Sequence, residues 1–240
     1  MVEMKRIATG VKGLDTLLDG GIPEGNIVLV SGSTGAGKTF LGLQYLYHGA
    51  LNGEPGLYIT LDERSENLMK VINSMNLDTS VFDERFQIVD GAALRKVIGT
   101  SEERARGGIL DLEHLTKLIG TYIEGFGIKR VVLDSLTAVA FRYEDTAEFR
   151  FDLFRFCDYL KEQEVTTLLT VEVEEGSSAV DRFGVESFIS DGVIVLKFEE
   201  RDYDLNPTIL VRKMRYTDHP TVRFNYTISE KGLQVHEKYI

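Results

Sequence analysis

The clearest chemistry in the 240-residue chain lies in Gly32-Ser33-Thr34-Gly35-Ala36-Gly37-Lys38-Thr39. This stretch follows the apolar run Ile27-Val28-Leu29-Val30 and precedes a helix-like Phe40-Leu41-Gly42-Leu43-Gln44-Tyr45-Leu46. It is a glycine-rich phosphate loop in its strand–loop–helix setting. The glycines let backbone N–H groups turn inward, and the helix adds unpaired donors and the positive end of its dipole. Ser33, Thr34, Gly35, Ala36, Gly37, Lys38, Thr39 and Phe40 are therefore expected to cradle the phosphates of a nucleotide such as ATP or ADP. Lys38 reaches the β- and γ-phosphates as a point charge, and the Thr39 hydroxyl suits Mg²⁺, a hard cation that prefers oxygen.

Two further strands end on carboxylates. Leu57-Tyr58-Ile59-Thr60-Leu61 runs into Asp62-Glu63, and Arg130-Val131-Val132-Leu133 runs into Asp134. Ligands of open α/β sheets sit outside the carboxyl ends of the strands, so both groups are placed to face the nucleotide. The second run is the pattern called Walker B, with Asp134 opposite Thr39 on Mg²⁺. Asp62 and Glu63 also fit a plainer role, a charge pair at the N-terminus of the next helix.

The elements that would position these groups alternate in type. Leu68, Val71, Ile72 and Met75 share a helix face after Ser65, and Leu112, Leu115, Leu118, Ile119 and Tyr122 share another. Phe149, Leu153, Phe156 and Leu160 form an apolar stripe behind an Asp145 cap. Phe86–Asp90, Thr166–Val171 and Gly192–Phe198 read as buried strands. From residue 208 the texture turns to period two, with Ile209, Val211, Val222, Phe224, Tyr226 and Ile228. The expectation is an α/β fold, a mainly parallel central sheet flanked by helices, with antiparallel strands appended at the C-terminal end. One phosphate loop in a chain of this length predicts one domain, residues 1–240, with one nucleotide site.

Composition bounds the partners. A net charge of −11 opposes a surface that coats nucleic acid. The stretch bearing Arg95, Lys96, Arg104 and Arg106 is a candidate contact but reads better as a solvated loop, since Glu102 and Glu103 interrupt it. No apolar run approaches the roughly 20 residues that span a bilayer. The N-terminus leads into no signal-peptide core, so a cytoplasmic setting without membrane contact is expected. The single cysteine, Cys157, reads as a buried core thiol, and the four histidines have no metal-ligand spacing.

Taken together, Thr9-Gly10-Val11-Lys12-Gly13-Leu14-Asp15, the phosphate loop, Leu61-Asp62-Glu63, the Asp134 strand and Lys213-Met214-Arg215 resemble KaiC-like ATPases of the RecA superfamily. The likeness is to the one-domain archaeal and bacterial members. It implies a head-to-tail homo-hexamer with ATP between subunits. Glu63 then takes the position of the general base, with Asp62 where a second glutamate is usual. Lys213 and Arg215 take the positions of a cationic finger reaching the neighbour's phosphates, although the residues alone also fit an exposed basic strand edge. Thr217, His219, Ser229 and Glu230 match positions lining the same neighbour's nucleotide, and Ser74 matches one near the base.

Besides Asp62, three further positions are notable. Tyr216 replaces the glycine usual after Lys-x-Arg, which leaves the path of that segment open. Glu172 stands where DNA recombinases place an amide sensor, and of two adjacent phosphorylated positions only Ser187, beside Phe188, keeps a hydroxyl. The expected function is an Mg²⁺-dependent, slowly hydrolysing ATPase acting as a nucleotide-dependent oligomeric switch. A DNA-acting recombinase or motor, a scaffold assembled by ATP with little turnover, and a protein kinase are the alternatives.

Overall fold

A computed structural model describes residues 4–91, 94, 110–201 and 203–239. The basic stretch with Arg95, Lys96, Arg104 and Arg106 lies outside them. In chain order the elements are β1 (Arg6–Ile7), α1 (Leu14–Leu17), β2 (Ile22–Pro23), β3 (Ile27–Gly32), α2 (Lys38–Leu51), β4 (Gly56–Thr60), α3 (Ser65–Ser74), a 3₁₀ turn (Thr79–Val81), α4 (Phe82–Arg85) and β5 (Phe86–Asp90). There follow α5 (Leu112–Phe126), β6 (Arg130–Asp134), α6 (Leu136–Ala140), α7 (Thr146–Glu162), β7 (Thr166–Glu172), α8 (Glu186–Ile189), β8 (Gly192–Arg201), β9 (Asp204–Met214), β10 (Phe224–Ser229) and β11 (Gly232–Tyr239).

Nine strands make one sheet in the order β11-β10-β9-β8-β3-β7-β6-β4-β5. The six from β8 to β5 are parallel, and β9, β10 and β11 are antiparallel to their neighbours. Every residue of β3 is buried, as expected of a strand covered on both faces. Apolar side chains on one face pack with α2 and α3, including Val28, Val30, Leu41, Tyr58 and Val132. Those on the other pack with α5 and α7, including Leu29, Leu57, Leu115, Leu133, Phe149 and Phe156. The aromatic stripe of α7 is thus core, and Cys157 is buried with its thiol pushed up to about 12 by that burial.

Helix ends follow their local chemistry. The Asp145 carboxylate accepts from Ala147 N at 2.8 Å and starts α7. Gly127, at φ 65°, ends α5 in the left-handed conformation that suits glycine. β9 pairs with β8 over most of its length but with β10 only at Thr208 and Ile209, so Lys213 lies on a stretch of β9 whose ladder runs to β8 alone, and Arg215 follows the strand. Among the described residues no helix is long and apolar enough to cross a membrane.

The parallel strands have two distinct ends. At the carboxyl end lie the phosphate loop after β3, the Asp62-Glu63 segment after β4 and Asp134 at the close of β6. At the opposite end β9 finishes beside the start of β8, where Gly192 pairs with Met214. Lys213 and Arg215 are therefore at the other end of the sheet from the phosphate loop.

Candidate functional site

A cavity of about 220 Å³ opens over the carboxyl ends of the strands and is lined by Lys38, Thr39, Asp62, Glu63, Asp134 and Glu172, among others. Thr34, Gly35, Gly37, Phe40, Thr60 and Val71 complete it. Gly37 has φ 88°, and a Cβ there would stand 2.6 Å from Ile228 Cδ1, so only glycine fits. No side chain caps α2 at Gly37, which leaves the donors of its first turn available to an anion. Ser33 and Ala36 are buried and shape the loop from behind.

Lys38 is buried, and Nζ donates to Gly32 O and Ser33 O, each at 2.9 Å. Burial lowers its pKa, opposed by the negative charges of Glu172, Asp134 and Asp62. Glu172 Oε1 lies 3.9 Å away. A buried ammonium whose hydrogen bonds go only to neutral carbonyls, at the floor of an open loop, is suited to a phosphate chain.

Asp134 collects three hydroxyls. Thr39 Oγ1 donates to Oδ2 at 3.0 Å, the Tyr58 hydroxyl to the same oxygen at 2.5 Å, and Thr170 Oγ1 to Oδ1 at 2.6 Å. Burial and the adjacent carboxylate raise the Tyr58 pKa well above its ordinary value, so Tyr58 stays a donor. The Thr39–Asp134 pair is an all-oxygen donor set of the kind Mg²⁺ takes. Tyr58 and Thr170 carry no motif of their own. Their place at inward positions of β4 and β7 is the signal that could have found them.

The acidic pair divides. Ser135 Oγ donates to Asp62 Oδ2 at 2.6 Å and anchors it. Glu63 is held by its backbone, with Thr60 Oγ1 donating to its carbonyl at 2.7 Å, while its side chain stays exposed at the cavity wall. The pair does sit just before α3, whose N-cap is Arg64, but Asp62 is engaged by Ser135 rather than by that helix.

The remaining predicted residues lie elsewhere. Ser74 ends α3 and donates to Val71 O at 2.7 Å, outside the cavity lining. Lys213 Nζ donates to Ser190 O at 2.5 Å and Ser187 O at 3.1 Å, and its pKa is lowered by burial and then by Arg215. Arg215 Nη1 donates to Asp191 Oδ1 at 3.0 Å. Arg6 donates to the Thr217 hydroxyl at 2.9 Å and to Tyr216 O at 3.0 Å, fixing the segment after Arg215. His219 Nδ1 lies 3.4 Å from Pro220 O. Ser229 and Glu230 are exposed where β10 turns into β11. Tyr216 has φ 61°, a left-handed backbone that glycine adopts more readily than a residue with a Cβ.

Beside Arg215 runs an apolar groove of about 450 Å³, lined in part by Phe151, Phe154, Phe188 and Arg150. The three phenylalanines are 61%, 57% and 70% exposed.

Comparison with known proteins gives a consistent result. The family model described as "ATPase: KaiC" matches residues 7–239. The circadian clock oscillator protein KaiC of a Prochlorococcus marinus strain is 31% identical over 98% of this chain and 46% of its own length. That of Thermosynechococcus vestitus is 33% identical over 95% of this chain and 43% of its own. The chain thus spans less than half the length of the curated relatives it matches. The crystal structure of a KaiC-like protein from Pyrococcus horikoshii OT3 superposes with a TM-score of 0.83 at 32% identity, covering 98% of this chain and all of that one.

Proposed function

The chain belongs to the KaiC ATPase family, and from that premise we propose that it is a one-domain, Mg²⁺-dependent, slow ATPase that works as a homo-hexameric nucleotide switch. The observation that carries this reading is the separation of Arg215 from its own phosphate loop. Arg215 N bonds Asp191 O and Asp191 N bonds Ile27 O, which ties the finger to the first residue of β3. The loop begins at the last residue of that strand, roughly 17 Å further on at the usual rise per residue. A finger so placed suits a site on another copy, as in a head-to-tail assembly. The exposed phenylalanines beside Arg215 support the same face as an interface, since apolar clusters of that kind call for a partner.

Each side chain then has a task. Lys38 exchanges its two carbonyl acceptors for β- and γ-phosphate oxygens. Thr39 and Asp134 hold the metal, which when bound neutralises phosphate charge and orients the transferred group. Glu63, free at the cavity wall, orients the attacking water and takes its proton. Asp62, pinned by Ser135, keeps negative charge beside it. Lys213 and Arg215 of the neighbouring copy meet the charge that grows on the transferred phosphoryl group, an effect worth a factor of about 10³ to 10⁵ in related sites.

The test is steady-state ATP hydrolysis against protein concentration for the native chain, Lys213→Ala/Arg215→Ala, Glu63→Gln and a mixture of the two variants. Activity per chain should rise with concentration, each variant should be nearly inactive, and the mixture should regain activity. A flat concentration dependence with a dead mixture would remove the shared site. Single-stranded DNA should leave the rate unchanged; stimulation would favour a recombinase or motor instead.

A further inference from the structure

Asp191 immediately precedes β8, is 3% exposed, and is not part of the cavity described above. Its carboxylate gathers groups from three elements. Oδ2 accepts from Ile27 N at 3.1 Å, at the start of β3. Oδ1 accepts from Lys161 Nζ at 2.9 Å, from the last turn of α7, and from Arg215 Nη1 at 3.0 Å. The same ammonium lies 2.8 Å from Oδ2. The main chain repeats the link, with Asp191 N donating to Ile27 O at 2.8 Å and Asp191 O accepting from Arg215 N at 3.0 Å. The guanidinium it holds is about half exposed, whereas the carboxylate is almost wholly enclosed.

An enclosed carboxylate held in this way has one geometry available, and a long flexible side chain bound to it loses most of its rotamers. We propose that Asp191 is the positioning residue for the Arg215 finger, setting the guanidinium toward the nucleotide of an adjacent copy. Because the same carboxylate holds the first residue of β3, whose other end bears the phosphate loop, it also joins a subunit's own nucleotide strand to the finger it offers its neighbour. Lys161 shares the single carboxylate charge with Arg215, which contacts it through Nη1 and so presents its other donor edge toward a phosphate. The inference rests on the shared-site reading above.

Asp191→Asn keeps the shape but loses the charge and puts an amide donor against either Ile27 N or the two cations. Alone it should lower kcat about tenfold to a hundredfold, the effect of a misplaced catalytic group, with little change in KM for ATP. The decisive readout is complementation. Asp191→Asn mixed with Glu63→Gln should regain activity, because the first supplies an intact base and the second an intact finger. Asp191→Asn mixed with Lys213→Ala/Arg215→Ala should not rise above the residual rate of Asp191→Asn alone, since neither supplies a well-placed finger. Asp191→Glu, which retains the charge and shifts it by one methylene, should give the same pattern and serves if the asparagine variant does not fold.

Recovery with the finger variant, or none with Glu63→Gln while the control mixture of finger and base variants recovers, would overturn the positioning role and leave the shared site standing. A dead control mixture would remove both.

Discussion

The Tyr226 hydroxyl donates to Ala36 O at 2.6 Å, joining the appended C-terminal strands to the phosphate loop across 190 residues of sequence. Gln44 of α2 reinforces the join, accepting from Leu233 N at 2.6 Å and donating to Leu233 O at 3.3 Å. The antiparallel extension therefore backs the loop as well as widening the sheet. Tyr226→Phe should leave the buried Ala36 carbonyl without this donor and cost about 1–2 kcal/mol of stability. Urea unfolding checks the stability, and ATP titration should show weaker binding. Unchanged values in both would mean the loop holds its shape without the hairpin.

Asp134→Asn tests the metal assignment. An amide cannot accept from all three hydroxyls now shared between Oδ1 and Oδ2, and it is a poor ligand for a hard cation. Hydrolysis should fall by about 10² or more, and the dependence of nucleotide affinity on Mg²⁺ should largely vanish. Binding of ATP without metal should change only a few-fold. Normal Mg²⁺ titration in this variant would place the cation elsewhere.

Much of this was legible where the chemistry is local. The phosphate loop, the carboxylates after β4 and β6 and the alternation of β9 and β10 each fit within a few residues. Phe224 and Tyr226 are buried as the alternation requires, but Val222, ahead of β10, and Ile228, near its end beside Gly37, are 42% and 38% exposed. What sequence did not yield was contact between distant residues. Tyr58 and Thr170 read as ordinary strand residues until the sheet order sets β4, β6 and β7 side by side. Asp191, just ahead of the Gly192–Phe198 run, carries no motif and meets Arg215 only because β9 returns along β8.

Lys38 should leave a mark on stability. Burial lowers its folded pKa below the ordinary 10.5, so between that lowered value and 10.5 the unfolded chain binds more protons than the folded one. Stability from this group therefore rises with pH across that window and is at its least below it. Lys38→Met removes the titration. In the absence of nucleotide, the difference in melting temperature, native minus variant, should grow as pH is raised toward 10.5. A constant difference would mean the ammonium feels no net cost from its surroundings, and ATP-induced stabilisation should disappear in the variant at every pH.

Tyr216 holds a left-handed backbone at φ 61° just beyond Arg215, with its ring 69% exposed. A residue with a Cβ is disfavoured there by about 1–2 kcal/mol, while glycine returns roughly 0.4–1 kcal/mol of that as extra freedom in the unfolded chain. The balance predicts that Tyr216→Gly stabilises the protein by up to about 1.6 kcal/mol. Tyr216→Val should destabilise it, because a β-branched side chain tolerates this conformation worst. Both are read by urea unfolding without nucleotide. Arg6, through its bonds to Tyr216 O and Thr217 Oγ1, should keep the segment's path in the glycine variant, so its finger should still complement Glu63→Gln. If the glycine variant unfolds more readily instead, the exposed ring contributes packing that outweighs the backbone strain.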